Sequence, residues 1–344
     1  MAGRDRNEAR TLHVAVVGAT GAVGTMLFRQ LEARRFPVAR LRALASGRSV
    51  GRRLVFRGEA VEVEAATPEN LGEVDLVFFA ATGSLSKELA PEAVARGAVV
   101  IDKSSTWRME PDVPLVVPEI NAAALDGHRG IVASPNCTTI GAVMVLEPLR
   151  RRAGLRRVVV TTFQAVSGAG EPGREELEGQ LAATARGDAP LARTFAAPIA
   201  HNVVPVCETL RDDGYTSEEL KLLHETRKIL GLPGLAVSMT CTRVPVPVGH
   251  AAALLVETER PLDVVAAREA LAEFPGVVVV DDPRAGRFPT PRDVEGRDEV
   301  LVGRLRRDLG SDALWLWEVS DNLRKGAATN AVQIAEALRE RGRL

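Results

Sequence analysis

Cys137 stands in Ser134-Pro135-Asn136-Cys137-Thr138-Thr139, between the apolar runs Gly130-Ile131-Val132-Ala133 and Ile140-Gly141-Ala142-Val143-Met144-Val145-Leu146. That order predicts a strand, a tight turn and a helix N-terminus, with the thiol in the first helical turn. Unpaired backbone N–H groups and the positive end of the helix dipole favour a thiolate there, and a thiolate is a nucleophile. A lone cysteine is more often a small buried hydrophobe, so the rest of the chain has to decide. Arg243 is a second odd residue. Leu235 to Val244 alternates, with Val237, Met239, Cys241 and Arg243 on one face and Ala236, Ser238, Thr240 and Thr242 on the other. A charge on the apolar face of a strand needs a partner, and a carboxylate in a bidentate pair is the natural one. His250 follows the bend Val244-Pro245-Val246-Pro247-Val248-Gly249. Glu218 and Lys221 lie one turn apart on a helix opened by Thr216, with Glu219 spaced for a capping box and Gly231 as the stop. That acid and base can reach one site from one helix face, although on local sequence alone an exposed ion pair is the default expectation.

A different chemistry belongs to the start of the chain. Leu12 to Val17 is an apolar strand, and Gly18-Ala19-Thr20-Gly21-Ala22-Val23-Gly24 turns it into a helix running to about Arg34. Glycines there let the backbone approach a pyrophosphate at the helix N-terminus, although the spacing is GxxGxxG rather than GxGxxG. The second strand, Val38 to Ala45, ends at Ser46-Gly47-Arg48-Ser49 without the acidic residue that holds a ribose 2′-hydroxyl. Arg48 and Ser49 offer a cation and donors for a 2′-phosphate, so NADP is expected.

The elements that must position these groups are legible as apolar strands at Leu76 to Ala80, Ala98 to Ile101, Leu115 to Val117 and Ile131 to Ala133, separated by helix-like stretches such as Ser84 to Ala95. Such alternation predicts a doubly wound parallel sheet. Ala80 to Gly83, Ser104 to Arg108 and Cys137 are expected to emerge at one crevice beyond the strands' carboxyl ends. After about Pro148 the grammar changes: Val158 to Gln164 is a strand broken by Ser167-Gly168-Ala169-Gly170, and β-rich sequence with few helices follows. A last helix from about Thr329 to Arg341 can return to the first domain. The expected fold class is α/β, a doubly wound Rossmann-type parallel sheet domain plus an α+β catalytic and dimerisation domain with a mixed sheet. The boundaries are 1–136, completed by 325–344, for NADP binding and 137–324 for catalysis.

Composition narrows the partners. The chain has 344 residues, with Lys+Arg 44 against Asp+Glu 45 and a net charge of −1, which argues against nucleic acid and anionic membranes. Three cysteines without framework spacing fit a reducing, cytoplasmic compartment, and no Cys/His cluster suggests a metal. No apolar run is long enough for a membrane span. Residues 1–10 are polar, without a signal-peptide core, and read as a loose tail.

Taken together, Gly18 to Gly24, Ala45 to Ser49, Pro114 to Asn121, Pro135 to Ile140, Gln164 to Gly170, Glu225 to Ile229, Arg243-Val244-Pro245 with Gly249-His250, and Asp321 to Ala328 resemble the aspartate-β-semialdehyde dehydrogenase family, in its order, from about Leu12 to Arg341. The resemblance implies an NADP-dependent enzyme that interconverts L-aspartate 4-semialdehyde plus phosphate with 4-phospho-L-aspartate, feeding lysine, threonine and methionine synthesis, as a homodimer or tetramer. It implies that Cys137 is the nucleophile, Gln164 orients the acyl intermediate and His250 is the acid/base. Arg243 would bind the substrate carboxylate and Glu218 its amino group. Arg108 and Lys221 would bind phosphate, with Asn136 beside the nucleophile. NADPH would be held by Gly18, Thr20, Gly21, Ala22 and Val23, by Ser46, Arg48 and Ser49, and by Ser167, Gly168 and Asn322. A thiol suits this chemistry, because an aldehyde becomes an acyl phosphate through a covalent thioester. Departures are Ser134 in place of a common Asn, Gly141 in place of a common Gln, His201 in place of an aromatic residue, and Val206-Cys207 in place of a more polar pair. The rivals are an N-acetyl-γ-glutamyl-phosphate reductase, which shares the Cys/His chemistry, and a catalytically silent NADP-binding paralogue, which would be expected to lose Cys137, Gln164 or His250.

Overall fold

The computed structural model describes residues 11–344, so the expected loose tail at 1–10 lies outside the described residues. The chain divides into two compact units, one ending at Pro135 and completed by Ala327–Leu344, the other spanning Asn136–Gly326.

In the first unit, β1 (Leu12–Val17), β2 (Val38–Ala45), β3 (Arg53–Phe56), β4 (Glu59–Ala65), β5 (Leu76–Phe79), β6 (Val99–Asp102) and β7 (Ile131–Ala133) form a sheet in the order β3-β4-β2-β1-β5-β6-β7. Every pairing is parallel except β3 with β4. The pleat sends alternate side chains to opposite faces. Val14 and Val16 join Leu27, Phe28 and Leu31 of helix α1 (Ala22–Ala33) and Ala331, Ile334 and Leu338 of the terminal helix (Thr329–Glu340). Ala15 and Val17 instead join Leu89, Ala90 and Ala93 of α2 (Gly83–Ala95). Helices therefore cover both faces, which is why these strands are apolar throughout. Arg34 fastens α1 to the terminal helix through a bidentate pair with Glu336, at 2.9 and 2.6 Å. The expected strand at Leu115 to Val117 is a correction: only a single bridge, Leu115 with Ala133, forms. Pro114 precedes the run and Pro118 opens a short helix, Pro118–Asn121, so the run has no length in which to build a ladder.

The second unit holds β8 (Arg157–Gln164), β9 (Ala236–Arg243), β10 (His250–Glu257), β11 (Val277–Val279), β12 (Val300–Arg307) and β13 (Leu314–Ser320), ordered β11-β12-β13-β10-β8-β9. The sheet is mixed, with parallel pairs at β8/β9 and β11/β12 and antiparallel pairs between. In β8, Val158, Val160, Thr162 and Gln164 are buried, while Val159, Thr161 and Phe163 are half-buried, so one face is fully covered. Its longer helices are α3 (Cys137–Ala153), α4 (Glu171–Ala185), α5 (Ser217–Leu230) and α6 (Val264–Ala272). The expectation of few helices here is corrected by α4, a polar helix that buries only Gly173, Leu177 and Gln180 and so carries little apolar periodicity. Among the described residues no helix is long and apolar enough to cross a membrane.

Candidate active site

Cys137 is the first residue of α3, and Asn136 is its N-cap in an extended conformation, φ −60° and ψ 146°. The Asn136 side-chain oxygen accepts from the N–H groups of Thr138 at 2.9 Å and Thr139 at 3.3 Å. Its amide nitrogen donates to both Glu218 oxygens, at 3.0 and 3.1 Å, and its backbone N–H donates to Glu225 at 2.7 Å. One asparagine thus shapes the nucleophile's turn and ties it to α5. Gly326 lies so close that an added Cβ would stand 3.0 Å from the Cys137 Cβ.

Arg243 and Gln164 are paired in register across β9 and β8, and His250 opens the adjacent β10. A single residue, Ala165, fixes the arginine and the histidine: its carbonyl accepts from Arg243 Nη1 at 2.8 Å and its N–H donates to His250 Nδ1 at 3.0 Å. A ring whose Nδ1 accepts from an amide carries its proton on Nε2. His250 Nε2 and Arg243 Nε are both buried without a protein partner, so two donors are held ready at one place. Burial, and then the Arg243 charge, push the His250 pKa well below its ordinary 6.5, so the ring is neutral. Gly168 permits the close approach, since a Cβ there would lie 2.6 Å from Arg243 Nη1 and 3.0 Å from His250 Cε1. The Gln164 amide donates to the Thr162 hydroxyl at 3.3 Å. Ser167 and Asn322 bond each other, at 2.9 and 3.2 Å, and Asn322 also accepts from Gly249 N–H at 3.0 Å, so they brace the turns around His250.

Helix α5 brings Glu218 and Lys221. Thr216 and Glu219 form the expected capping box and Gly231 closes the helix in the left-handed conformation at φ 66°. Glu219 also accepts from Cys241 N–H at 3.0 Å, which pins α5 to β9. Glu218 is buried, and burial and the neighbouring Glu208 raise its carboxyl pKa against the pull of Lys221, Asn136 and Arg243. Lys221 contacts Glu218 at 3.4 Å and Glu208 at 2.5 Å. Glu208 and the buried Cys207 carry no local signal that marks them in sequence, yet they adjoin the cluster. The Cys207 thiol is pushed up to about 12 by burial, with Arg243 opposing and Glu218, Glu208 and Cys137 adding to the rise. Burial raises the Cys241 thiol as well, so both are inert thiols, with Cys207 the one near the candidate nucleophile.

The nucleotide turn belongs to the first unit. Gly18 has φ 83°, and an added Cβ would lie 2.3 Å from the Ala80 carbonyl oxygen; at Gly24 it would lie 2.1 Å from the Gly18 oxygen. Gly21 is the N-cap of α1 and makes no side-chain cap bond, so no capping side chain competes for the first-turn N–H groups, the kind of donors that suit an anion. Thr20 bonds Ser49 at 3.2 Å, joining the turn to the helical turn Gly47–Ser49, which carries Arg48 and is entered through Ser46. The pyrophosphate of a nicotinamide dinucleotide suits this donor set. Arg108 is also in the first unit, buried, donating to the Ser134 carbonyl at 3.1 Å and the Lys103 carbonyl at 2.7 Å. Among the described residues no group of His, Cys, Asp and Glu could hold a metal ion.

Two family models match the chain: a semialdehyde dehydrogenase NAD binding domain over residues 13–128 and a semialdehyde dehydrogenase dimerisation domain over 146–325. The chain is 49% identical to an aspartate-semialdehyde dehydrogenase of Aquifex aeolicus over 334 residues, covering 96% of this chain and 98% of that protein. It is 45% identical to one of Bacillus subtilis over 340 residues, with the same coverage, 96% and 98%. Among solved structures it resembles aspartate semialdehyde dehydrogenase II of Vibrio cholerae complexed with ASA, at TM-score 0.94 and 43% identity over 96% of this chain and 99% of that one.

Proposed function

Since the chain belongs to the aspartate-semialdehyde dehydrogenase family, we propose that it interconverts L-aspartate 4-semialdehyde plus phosphate with 4-phospho-L-aspartate, with NADP as the hydride carrier. The observation that carries the reading is the Ala165 backbone holding His250 and Arg243 together while Asn136 ties the Cys137 turn to Glu218. The relative from Vibrio cholerae is described with ASA bound, and a Candida albicans member, 26% identical with TM-score 0.77, is described with NADP.

The roles follow from the chemistry each group has. Cys137 thiolate adds to the aldehyde carbon, and the neutral His250 gives a hydrogen bond from Nε2–H, without parting with the proton, to the oxygen on which charge develops. Bound at the Gly18 to Val23 turn, NADP supplies hydride-transfer chemistry. Loss of hydride from the tetrahedral carbon re-forms the carbonyl and leaves an aspartyl thioester on Cys137. A phosphate oxygen then attacks that carbonyl and the thiolate leaves; biosynthesis runs the same steps in reverse. Arg243 takes the substrate carboxylate as a planar fork, Glu218 its ammonium, Lys221 and Arg108 the phosphate, and Gln164 orients the acyl group. Dimerisation through the second unit fits the family model for 146–325. We place the enzyme in the cytoplasm, at the branch that feeds lysine, threonine and methionine.

Phosphate-dependent reduction of NADP by L-aspartate 4-semialdehyde tests the reading, with NAD and N-acetylglutamate semialdehyde in parallel arms. Folded protein without turnover on the aspartyl substrate sinks it, and faster turnover on the acetylated one transfers the chain to the rival activity.

A further inference from the structure

Lys221 does not wait for phosphate with an open ammonium. Its Nζ lies 2.6 and 2.5 Å from the two oxygens of Glu208, and the same carboxylate accepts from the Ser217 hydroxyl at 2.7 Å. Ser217 and Lys221 are one turn apart at the start of the fourteen-residue α5, so a hydroxyl and an ammonium converge beside a helix N-terminus on one anion. That anion comes from the chain itself. Glu208 adopts φ 63°, a left-handed backbone that costs a glutamate energy and persists only where surroundings hold it. Its side chain is 41% exposed, against 4% for Glu218, so of the two acids touching Lys221 only Glu208 has solvent to swing into.

We propose that Glu208 is an internal anion occupying the phosphate position at Lys221, which inorganic phosphate, or the phosphoryl group of the acyl phosphate, must displace. Three negative oxygens cannot share one ammonium with a carboxylate at 2.5 Å without strong repulsion. Glu208 therefore weakens phosphate binding and, when phosphate departs, closes over Lys221 again. Burial alone would raise its carboxyl pKa, but the hydrogen bond and charge of Lys221, with Ser217, hold it below the ordinary value, so the competing anion persists through neutral pH. The inference rests on the phosphate role given to Lys221 above.

The experiment is phosphate-dependent NADP reduction with saturating L-aspartate 4-semialdehyde, measured for the wild type, Glu208→Gln, Glu208→Asp and Lys221→Gln, with thermal unfolding as a check on folding. Glu208→Gln is expected to lower the KM for phosphate about three- to tenfold, the scale of a partly exposed ion pair released, without a comparable change in the KM for semialdehyde. Glu208→Asp, which keeps the charge on a shorter arm, falls between. Lys221→Gln is expected to raise the phosphate KM. If it does so while Glu208→Gln leaves that constant unchanged or raises it, Glu208 orients Lys221 instead and the proposal is overturned. If Lys221→Gln has no effect on phosphate, the assignment of Lys221 itself fails.

Discussion

The Gly18 turn and the cluster around His250 are both built to receive charged ligands, and they are built in opposite ways. At Gly18 the receiving surface is main chain, and the requirement is for atoms to be missing: a single methyl would collide with the Ala80 carbonyl at 2.3 Å. Around His250 the receiving groups are side chains contributed by β8, β9 and β10, anchored on main chain at Ala165, with Cys137 and Glu218 coming from the ends of α3 and α5. A site made of backbone fails when something is added, and a site made of side chains fails when something is taken away or recharged. The two should therefore separate cleanly under substitution.

Removing one atom type at the second site has the largest expected effect. Cys137→Ser should lower turnover by on the order of 10⁴-fold or more, because an alcohol at a helix N-terminus does not ionise near neutrality. NADPH binding, followed by fluorescence titration, should stay near the wild-type value. Turnover within tenfold of wild type, or loss of NADPH affinity, would break the division of labour. Adding an atom at the first site is next. Gly18→Ala should weaken or abolish NADPH binding and cost roughly 2–3 kcal/mol of stability in urea unfolding, through overpacking and the strained φ together. Normal NADPH affinity in a protein as stable as wild type would show that the turn is not tight.

The same contrast explains what was legible in the sequence. Backbone-built features leave local patterns: the glycine turn follows an apolar strand, and β1, β5, β6 and β7 are short, mostly apolar runs that declare themselves. The β3–β4 hairpin hides because its strands are short and charged on one face, where Arg53 and Glu62 face each other, although Leu54, Phe56, Val61 and Val63 turn the other face to the core. Leu115 to Val117 misleads in the other direction, an apolar triplet with no ladder. The side-chain cluster is non-local, so single residues in it read as an ion pair or a structural histidine until a family resemblance joins them. Arg243 is the exception, since a charge on the apolar face of an alternating strand is a local anomaly. Glu208 left no trace at all, because nothing local says that a loop glutamate will reach thirteen residues ahead to Lys221.

A cluster of buried side chains also stores titratable groups, and stability should show it. Glu318 of β13 is buried, with both carboxyl oxygens 2.9 Å from where a Cβ on Gly141 would be, and burial pushes its pKa up to about 8 against the opposing Ser320 hydroxyl. Its folded pKa lies above the ordinary 4.5, so its contribution is complete below that value and is lost as pH rises towards about 8. Within that window the slope is about 1.4 kcal/mol per pH unit, so roughly 2 kcal/mol separates pH 6 from pH 7.5. His250 has the opposite sign: its folded pKa is depressed, so its contribution is present above 6.5 and is lost as pH falls. Glu318→Gln should remove its own share of the alkaline loss in urea unfolding, leaving that of the raised Glu218 carboxyl and the acid limb in place. An alkaline limb of undiminished size would place the titration elsewhere.

The smallest effect tests the shape of a side chain rather than its presence. Arg243 carries its positive charge next to His250 and receives the ring of Phe195 at 5.8 Å, with Nη1 on the Ala165 carbonyl and Nε without a protein partner. Lysine keeps the charge, so the electrostatic attraction for a substrate carboxylate survives Arg243→Lys. What goes is the planar fork, which alone can hold the Ala165 carbonyl and present a second N–H at a fixed angle. The expected outcome is a KM for L-aspartate 4-semialdehyde raised about tenfold, or about 1.4 kcal/mol, with the KM for NADP within twofold. A fall in kcat of the same size would mean that the lysine also disturbs His250 through Ala165, joining carboxylate recognition to stabilisation of the oxyanion. An unchanged KM would remove Arg243 from the substrate site, and with it the reason for a buried cation at the end of β9.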